Sequence, residues 1–323
     1  MTKDEKGSLT QHSLRCSGNQ SQAGKRGAND RAAVRKAIYR QSVAQRAAAS
    51  LDWPLMPADM RALLADLEAE SADLDAMIAP LDPEQYLIAT PAEGWCISDQ
   101  VSHLAFFDEA ALLAATDPNR FTIEAAQMMA RGAGFPDEVA ARHRATPGPE
   151  LRAWLLRARG ELIAGLAAVD PAERLPWYGP DMSAASSVTA RLMETWAHGQ
   201  DIADALAVSR PPTPRLRHIA HIGVRTIGFS FVLRGRPVPA QPVRVELAAP
   251  DGSRWTWGPD DATDVVTASA LDFCQVVTQR RHPADTALVA SGPVATEWIS
   301  IAQAFAGAPG PGREPRAARG GAA

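Results

Sequence analysis

The stretch RLMETWAHGQDIADAL, residues 191–206, restricts the fold more than any other part of the chain. Its apolar residues recur with helical spacing. Glu194, His198 and Asp201 nevertheless stand inside it at i, i+4 and i+7, which puts all three on one face of one helix. The rest of that helix is too apolar to face water, so it has to lie within a bundle of helices. Its polar face then either meets solvent in a narrow strip or holds something.

The partners for such a bundle precede it. PADMRALLADLEAESADLDAMIAPL has Pro57 near its start and a helical stripe of Met60, Leu63, Leu64, Leu67, Leu74, Met77, Ile78 and Leu81. ISDQVSHLAFFDEAALLAAT reads as a second helix, with Ser98 as its N-cap and Asp99 in its first turn. PELRAWLLRARGELIAGLAAV is a third, starting near Pro149, and SAASSVTARLMETWAHGQDIADAL is the fourth. Four long amphipathic segments predict a four-helix bundle, with residues 117–147 as a broken, partly helical connection. A fifth helix, TPRLRHIAHIGVRTIGFSFVLRG, runs to Gly235.

After Gly235 the period changes. PVRVELAAPDGSRWTWGP alternates, breaks at Asp251-Gly252 and alternates again, which is a hairpin signature. SALDFCQVVTQRR and PVATEWISIAQAFAG read as helices on either side of TALVASG, a candidate strand. The expected class is therefore α+β. Its expected parts are a disordered N-terminal extension over 1–55, a helical bundle over 56–235, a small α+β domain over 236–307 and a disordered Pro/Gly/Arg tail over 308–323.

Composition excludes several function classes. At 323 residues, 46% hydrophobic, the chain is long enough for two domains with proper cores. A net charge of −4 offers no global basic field for nucleic acid or an anionic membrane. No apolar run approaches the ~18–20 residues needed to span a bilayer. Cys16, Cys96 and Cys274 form no CxxC pair, which argues against a disulfide framework and for a reducing, cytoplasmic setting.

Glu194 and His198, one turn apart, can supply two metal ligands from one rigid element. Catalytic zinc sites often use three protein ligands, His₂Glu among them, and leave one position open. His103, flanked by Val101, Leu104 and Phe107 in another bundle helix, is the candidate third ligand. The alternative is that each histidine is a core residue with a satisfied hydrogen bond. Asp201 could orient a ligand imidazole by accepting its other ring N–H, or be a solvated charge near the helix end. Trp95 and Trp196 suit a pocket wall or ordinary core packing. Cys96 reads as a buried small residue, because nothing beside it in sequence would lower its pKa. His218 and His221, at i and i+3 with no carboxylate nearby in sequence, read as surface or packing residues.

GWCISDQVSHLAFFD, followed much later by ETWAHGQDIADAL, resembles the mycothiol-dependent maleylpyruvate isomerase family of the DinB-like metal-binding superfamily, and within it an uncharacterised metal-binding subgroup. The family's Gly-Trp, its ligand histidine and its later E-x-x-x-H match here as Gly94-Trp95, His103, Glu194 and His198. WTWGP and FCQVVTQRR resemble the small sterol-carrier-like α+β domain that follows the DinB-like bundle in those isomerases, so the resemblance covers residues 57–306. It implies a divalent metal, zinc first, and a low-molecular-weight thiol such as mycothiol acting as thiolate nucleophile on a small electrophile. The reaction would be a cis–trans isomerisation or a thiol transfer. It also implies an arginine of the C-terminal part facing the metal cleft, for which Arg280 and Arg281 are the candidates. The competing expectation is a metal-stabilised carrier with no chemistry. Either protein would be a monomer or homodimer with small-molecule partners.

Overall fold

The computed structural model describes residues 59–132 and 134–316. The expected disorder over 1–55, and Pro57, lie outside those residues. Helix α1, Met60–Ile78, starts at Asp59, whose carboxylate accepts from the Ala62 N–H. Leu63, Leu67, Leu74 and Ile78 fall on its buried stripe. Helix α2, Ile97–Thr116, is capped by Cys96 and not by Ser98. The reason is local: the Asp99 carboxylate reaches back to the Cys96 N–H at 2.9 Å, while the Ser98 hydroxyl donates instead to the Tyr86 carbonyl.

The connection after α2 folds into α3, Pro118–Met129, and α4, Phe135–Arg142. Helix α5, Gly148–Leu166, returns along α2. A two-stranded ribbon follows, β1 (Arg174–Leu175) against β2 (Met182–Ser183), and its loop carries Trp177 and Tyr178. Helix α6, Ala184–Ala205, is capped by Ser183 and holds Glu194 and His198. Helices α1, α2, α5 and α6 make the expected bundle.

The expected fifth helix is two helices. α7 (Leu216–Arg225) and α8 (Ile227–Leu233) are separated at Thr226, whose backbone leaves helical geometry at φ −95°, ψ 10°. The break lets α7 pack on α6, while α8 packs on an element near the C-terminus. The small sheet has strands β3 (Val243–Ala248), β4 (Arg254–Trp257), β5 (Asp264–Ser269) and β6 (Val289–Ser291), in spatial order β4-β3-β5-β6. β3 and β4 are the expected hairpin; β3 and β5 run parallel; β5 and β6 are antiparallel. Helix α9 (Ala270–Val277) packs on α7, and α10 (Pro293–Ile301) packs on α8 and β5. One continuous apolar core therefore joins Leu192 and Trp196 of the bundle, through Ile219 of α7, to Phe273 and Trp298.

Residues 308–316, expected to belong to a disordered tail, return to the body. Arg313 reaches Asp201 at 2.6 Å, and the Gly310 carbonyl accepts from Arg234. A basic tail finds buried or half-buried acid there, which composition does not reveal. Among the described residues, no helix is long and apolar enough to cross a membrane.

Gly258 ends β4 with φ +83°, and a Cβ there would run into the Val243 carbonyl oxygen of β3. Gly258→Ala is expected to lower stability by about 1–3 kcal/mol. Urea unfolding checks this, and an unchanged midpoint would contradict the close approach of the two strands.

Candidate metal centre

The site begins with a turn. Gly94 adopts φ +75°, a conformation glycine takes freely, and so lets residues 90–95 double back before α2. The Thr90 N–H and hydroxyl both donate to the Trp95 carbonyl, at 2.8 and 2.9 Å. Trp95 is thereby set against the bundle, its ring stacked on His198 at 5.9 Å and tilted against His103 at 5.3 Å. Its indole N–H donates to Asp137 of α4, and Arg144 ties down the Gly94 carbonyl. Of the two tryptophans that suit a wall, Trp95 stands at the site and Trp196 is buried in the core.

His103, Glu194 and His198 converge: one ligand atom from each lies within 4.8 Å of the others. Glu194 Oε2 is 3.1 Å from His198 Nε2 and 3.9 Å from His103 Nε2. Tetrahedral zinc with bonds of ~2.0–2.1 Å separates its ligand atoms by roughly 3.3 Å, a spacing that the two Glu194 separations bracket. The three side chains keep 13%, 21% and 10% exposure, so the cluster opens towards solvent on one side.

A hydrogen-bond relay fixes the protons. The Thr90 hydroxyl is spent as a donor on the Trp95 carbonyl, so it accepts from the Gln100 amide N–H at 2.8 Å. The Gln100 carbonyl oxygen then faces His198 Nδ1 and accepts its N–H. A neutral His198 consequently points the lone pair of Nε2 at the Glu194 carboxylate. Two acceptors at 3.1 Å repel unless a proton or a metal ion lies between them.

Burial pushes the His103 pKa down to about 3, and the neighbouring His198 adds to the shift. It is therefore the neutral imidazole that a metal requires. Its Nδ1 has no hydrogen-bond partner among the described residues. Burial alone would raise the Glu194 pKa, but the nearby His103 and His198 rings, with the charge of Arg191, hold it well below the usual carboxylate range.

Gln100 was not expected from the sequence. The signal was present: it lies three residues before His103, on the same face of an apolar helix. It takes the part expected of Asp201. That carboxylate is turned away, to Arg280 Nη2 at 3.0 Å and Arg313 Nη2 at 2.6 Å. Arg280 and Arg281 lie beyond the end of α9, where Gln279 takes φ +58°. Arg280 also donates to the Ala197 carbonyl, beside His198, and Arg281 pairs with Asp204 at 2.6 Å. Burial pushes the Cys96 thiol up, in keeping with a packing role. His218 does find a carboxylate, Asp66 across on α1, at 2.7 Å.

Gln100→Leu is expected to weaken metal binding by about 10–100-fold, the usual effect of removing a group that orients a ligand histidine. Competition with a chromophoric chelator measures it, and an affinity within twofold of wild type would remove Gln100 from the site.

A helical bundle holding a His₂-carboxylate cluster near a small mixed sheet is the class of protein that these features define. Residues 67–203 match the family model described as the mycothiol maleylpyruvate isomerase N-terminal domain, and residues 239–291 match one described as wyosine base formation. Two Mycobacterium tuberculosis proteins, Rv0036c and MT0041, both described as uncharacterised, are 49% identical over 233 residues, which is 72% of this chain and 91% of theirs. The crystal structure of the mycothiol-dependent maleylpyruvate isomerase superposes with TM-score 0.51 at 14% identity, over 74% of this chain and 96% of that one. A histidine-to-alanine mutant of that enzyme gives 0.52. The chain belongs to the mycothiol-dependent maleylpyruvate isomerase family, with a DinB-like bundle followed by a small α+β part.

Proposed function

We propose that His103, Glu194 and His198 hold a divalent metal, zinc in the first instance, and that the chain is an enzyme using a low-molecular-weight thiol such as mycothiol against a small electrophile. The observation that carries this is the Gln100 relay, which leaves the His198 Nε2 lone pair facing the Glu194 carboxylate with room for a cation. The family membership supports the thiol. The fit supports a catalytic rather than a closed structural site, because three good protein ligands and a solvent-facing side leave a position open.

Zinc, when bound, would hold a thiol as its thiolate at neutral pH. The chain's own residues do the rest. Gln100 keeps the proton on His198 Nδ1. Arg191, three residues before Glu194, helps to keep that carboxylate ionised. Trp95 covers His198 and narrows the approach. Two neutral imidazoles and one carboxylate leave +1 on a divalent ion, and one thiolate cancels it.

The test supplies the purified protein with mycothiol and either maleylpyruvate or an alkyl halide, and follows products by mass spectrometry. Thiol-dependent isomerisation or conjugate formation, lost in Glu194→Ala, is expected. Turnover that does not need the thiol would end this reading. No turnover with bound metal would favour the carrier.

A further inference from the structure

We propose that the electrophile is uncharged and carries a flat aromatic or extended conjugated group, rather than being a small dicarboxylate. This rests on the thiol-enzyme reading above and names its substrate class. Two observations carry it, the rings beside the ligands and the absence there, among the described residues, of an uncommitted cation.

The rings form a continuous row. Trp95 and Phe107 flank His103, with centroids 5.3 and 4.6 Å from its ring. Phe107 is followed by Phe135 at 6.1 Å and Tyr178 at 5.5 Å. Tyr178 in turn lines a cavity of about 300 Å³ between α2 and α3, with Leu113 and Phe121. The cavity's charged groups are occupied: Arg120 pairs with Glu124 at 2.8 Å, and Glu109 accepts from the Trp154 indole N–H. Trp95 is half-buried, yet it is held by its indole N–H and by the turn behind it. That fixing suits a wall against which a ligand ring stacks.

Among the described residues the cations near the site are already paired, Arg144 with Asp99 among them. Besides the three ligands themselves, the charge that bears on both His103 and Glu194 is that of Arg191. Arg191 is buried and directed at Asp108, 3.2 Å away, behind the cluster. Arg280 and Arg281, suited in type to grip a carboxylate, are committed to Asp201 and Asp204. With the charge on a metal cancelled by the thiolate, a dicarboxylate would surrender its hydration among rings, at several kcal/mol per uncompensated charge. An uncharged ring faces no such cost and gains stacking.

The experiment is calorimetric titration of the full chain, as purified with its metal and saturated with mycothiol, using two unreactive probes. One is 2-naphthol, uncharged and planar; the other is succinate, a small saturated dicarboxylate. 2-Naphthol is expected to bind at least about tenfold more tightly than succinate, and Trp95→Ala to weaken it by about tenfold. Trp95→Leu keeps apolar volume and serves if the alanine variant is poorly folded; it should weaken 2-naphthol in the same direction. Tighter binding of succinate, or 2-naphthol binding indifferent to both substitutions, would overturn the proposal. The parent reading fails differently: 2-naphthol would still bind in a Trp95-dependent way to a protein that shows no metal or no thiol-dependent turnover.

Discussion

His198→Ala is expected to purify with no metal, while the wild-type chain carries about one zinc. Elemental analysis beside protein quantitation measures both. The effect is large because the site has no spare ligand among the described residues: His103 and Glu194 alone would be a two-ligand site. Structural zinc takes four protein ligands and catalytic zinc commonly three, so two leave an affinity too low to survive purification. The helix itself should persist. His198 sits mid-helix in α6, where alanine is favoured, and its loss leaves the Gln100 carbonyl able to meet water through the opening. Circular dichroism close to wild type, with no zinc and no turnover, is the expected combination. Zinc at full stoichiometry in this variant would show that the ligands are assigned wrongly. No zinc in either protein would end the metal reading of the cluster.

What the sequence made legible follows from range. Glu194 and His198 lie on one helix, so a one-turn spacing was enough to place them together. His103 was legible because a histidine among Val101, Leu104 and Phe107 needs a reason. The role of Asp201 was misjudged although it shares their face, because its partners, Arg280 and Arg313, come from 79 and 112 residues away. A helix face says which residues are near one another, not which way a carboxylate is drawn by distant cations. Strand β5 was missed because DVVTAS is six residues with an aspartate at its head. That aspartate does not signal a loop: Asp264 Oδ1 accepts the Val294 and Ala295 N–H groups at the start of α10, an arrangement visible only once β5 and α10 are adjacent. The break at Thr226 left no mark, because the apolar spacing runs through it and no proline interrupts.

The second large effect lies behind the metal. Asp108→Ala is expected to cost about 3–5 kcal/mol, the usual penalty for removing one partner of a buried ion pair. That corresponds to a fall in Tm of roughly 4–9 °C for a chain this size. Asp108 has no exposed surface and meets two guanidiniums: Arg159 Nε at 2.7 Å on Oδ2, and Arg191 Nε at 3.2 Å on Oδ1. Arg159 also donates to Thr195 at 2.9 Å and to Ser71. The network therefore joins α1, α2, α5 and α6, all four helices of the bundle. Without Asp108, two buried cations lose the carboxylate that lies between them. The surface pair Arg120–Glu124 is the control, since Glu124→Ala should cost no more than ~0.5 kcal/mol. The triple replacement Asp108→Leu, Arg159→Met and Arg191→Met should recover most of the loss, because an apolar core of similar volume removes the desolvation cost as well. It should not recover metal affinity in full. Arg191 is the fixed positive charge that helps to keep Glu194 ionised, and it stands three residues away on the same helix. A stable triple variant with weakened zinc would separate the two roles of this layer, one holding the helices in register and the other setting the charge of the ligand. A triple variant that binds zinc like wild type would confine the network to the fold.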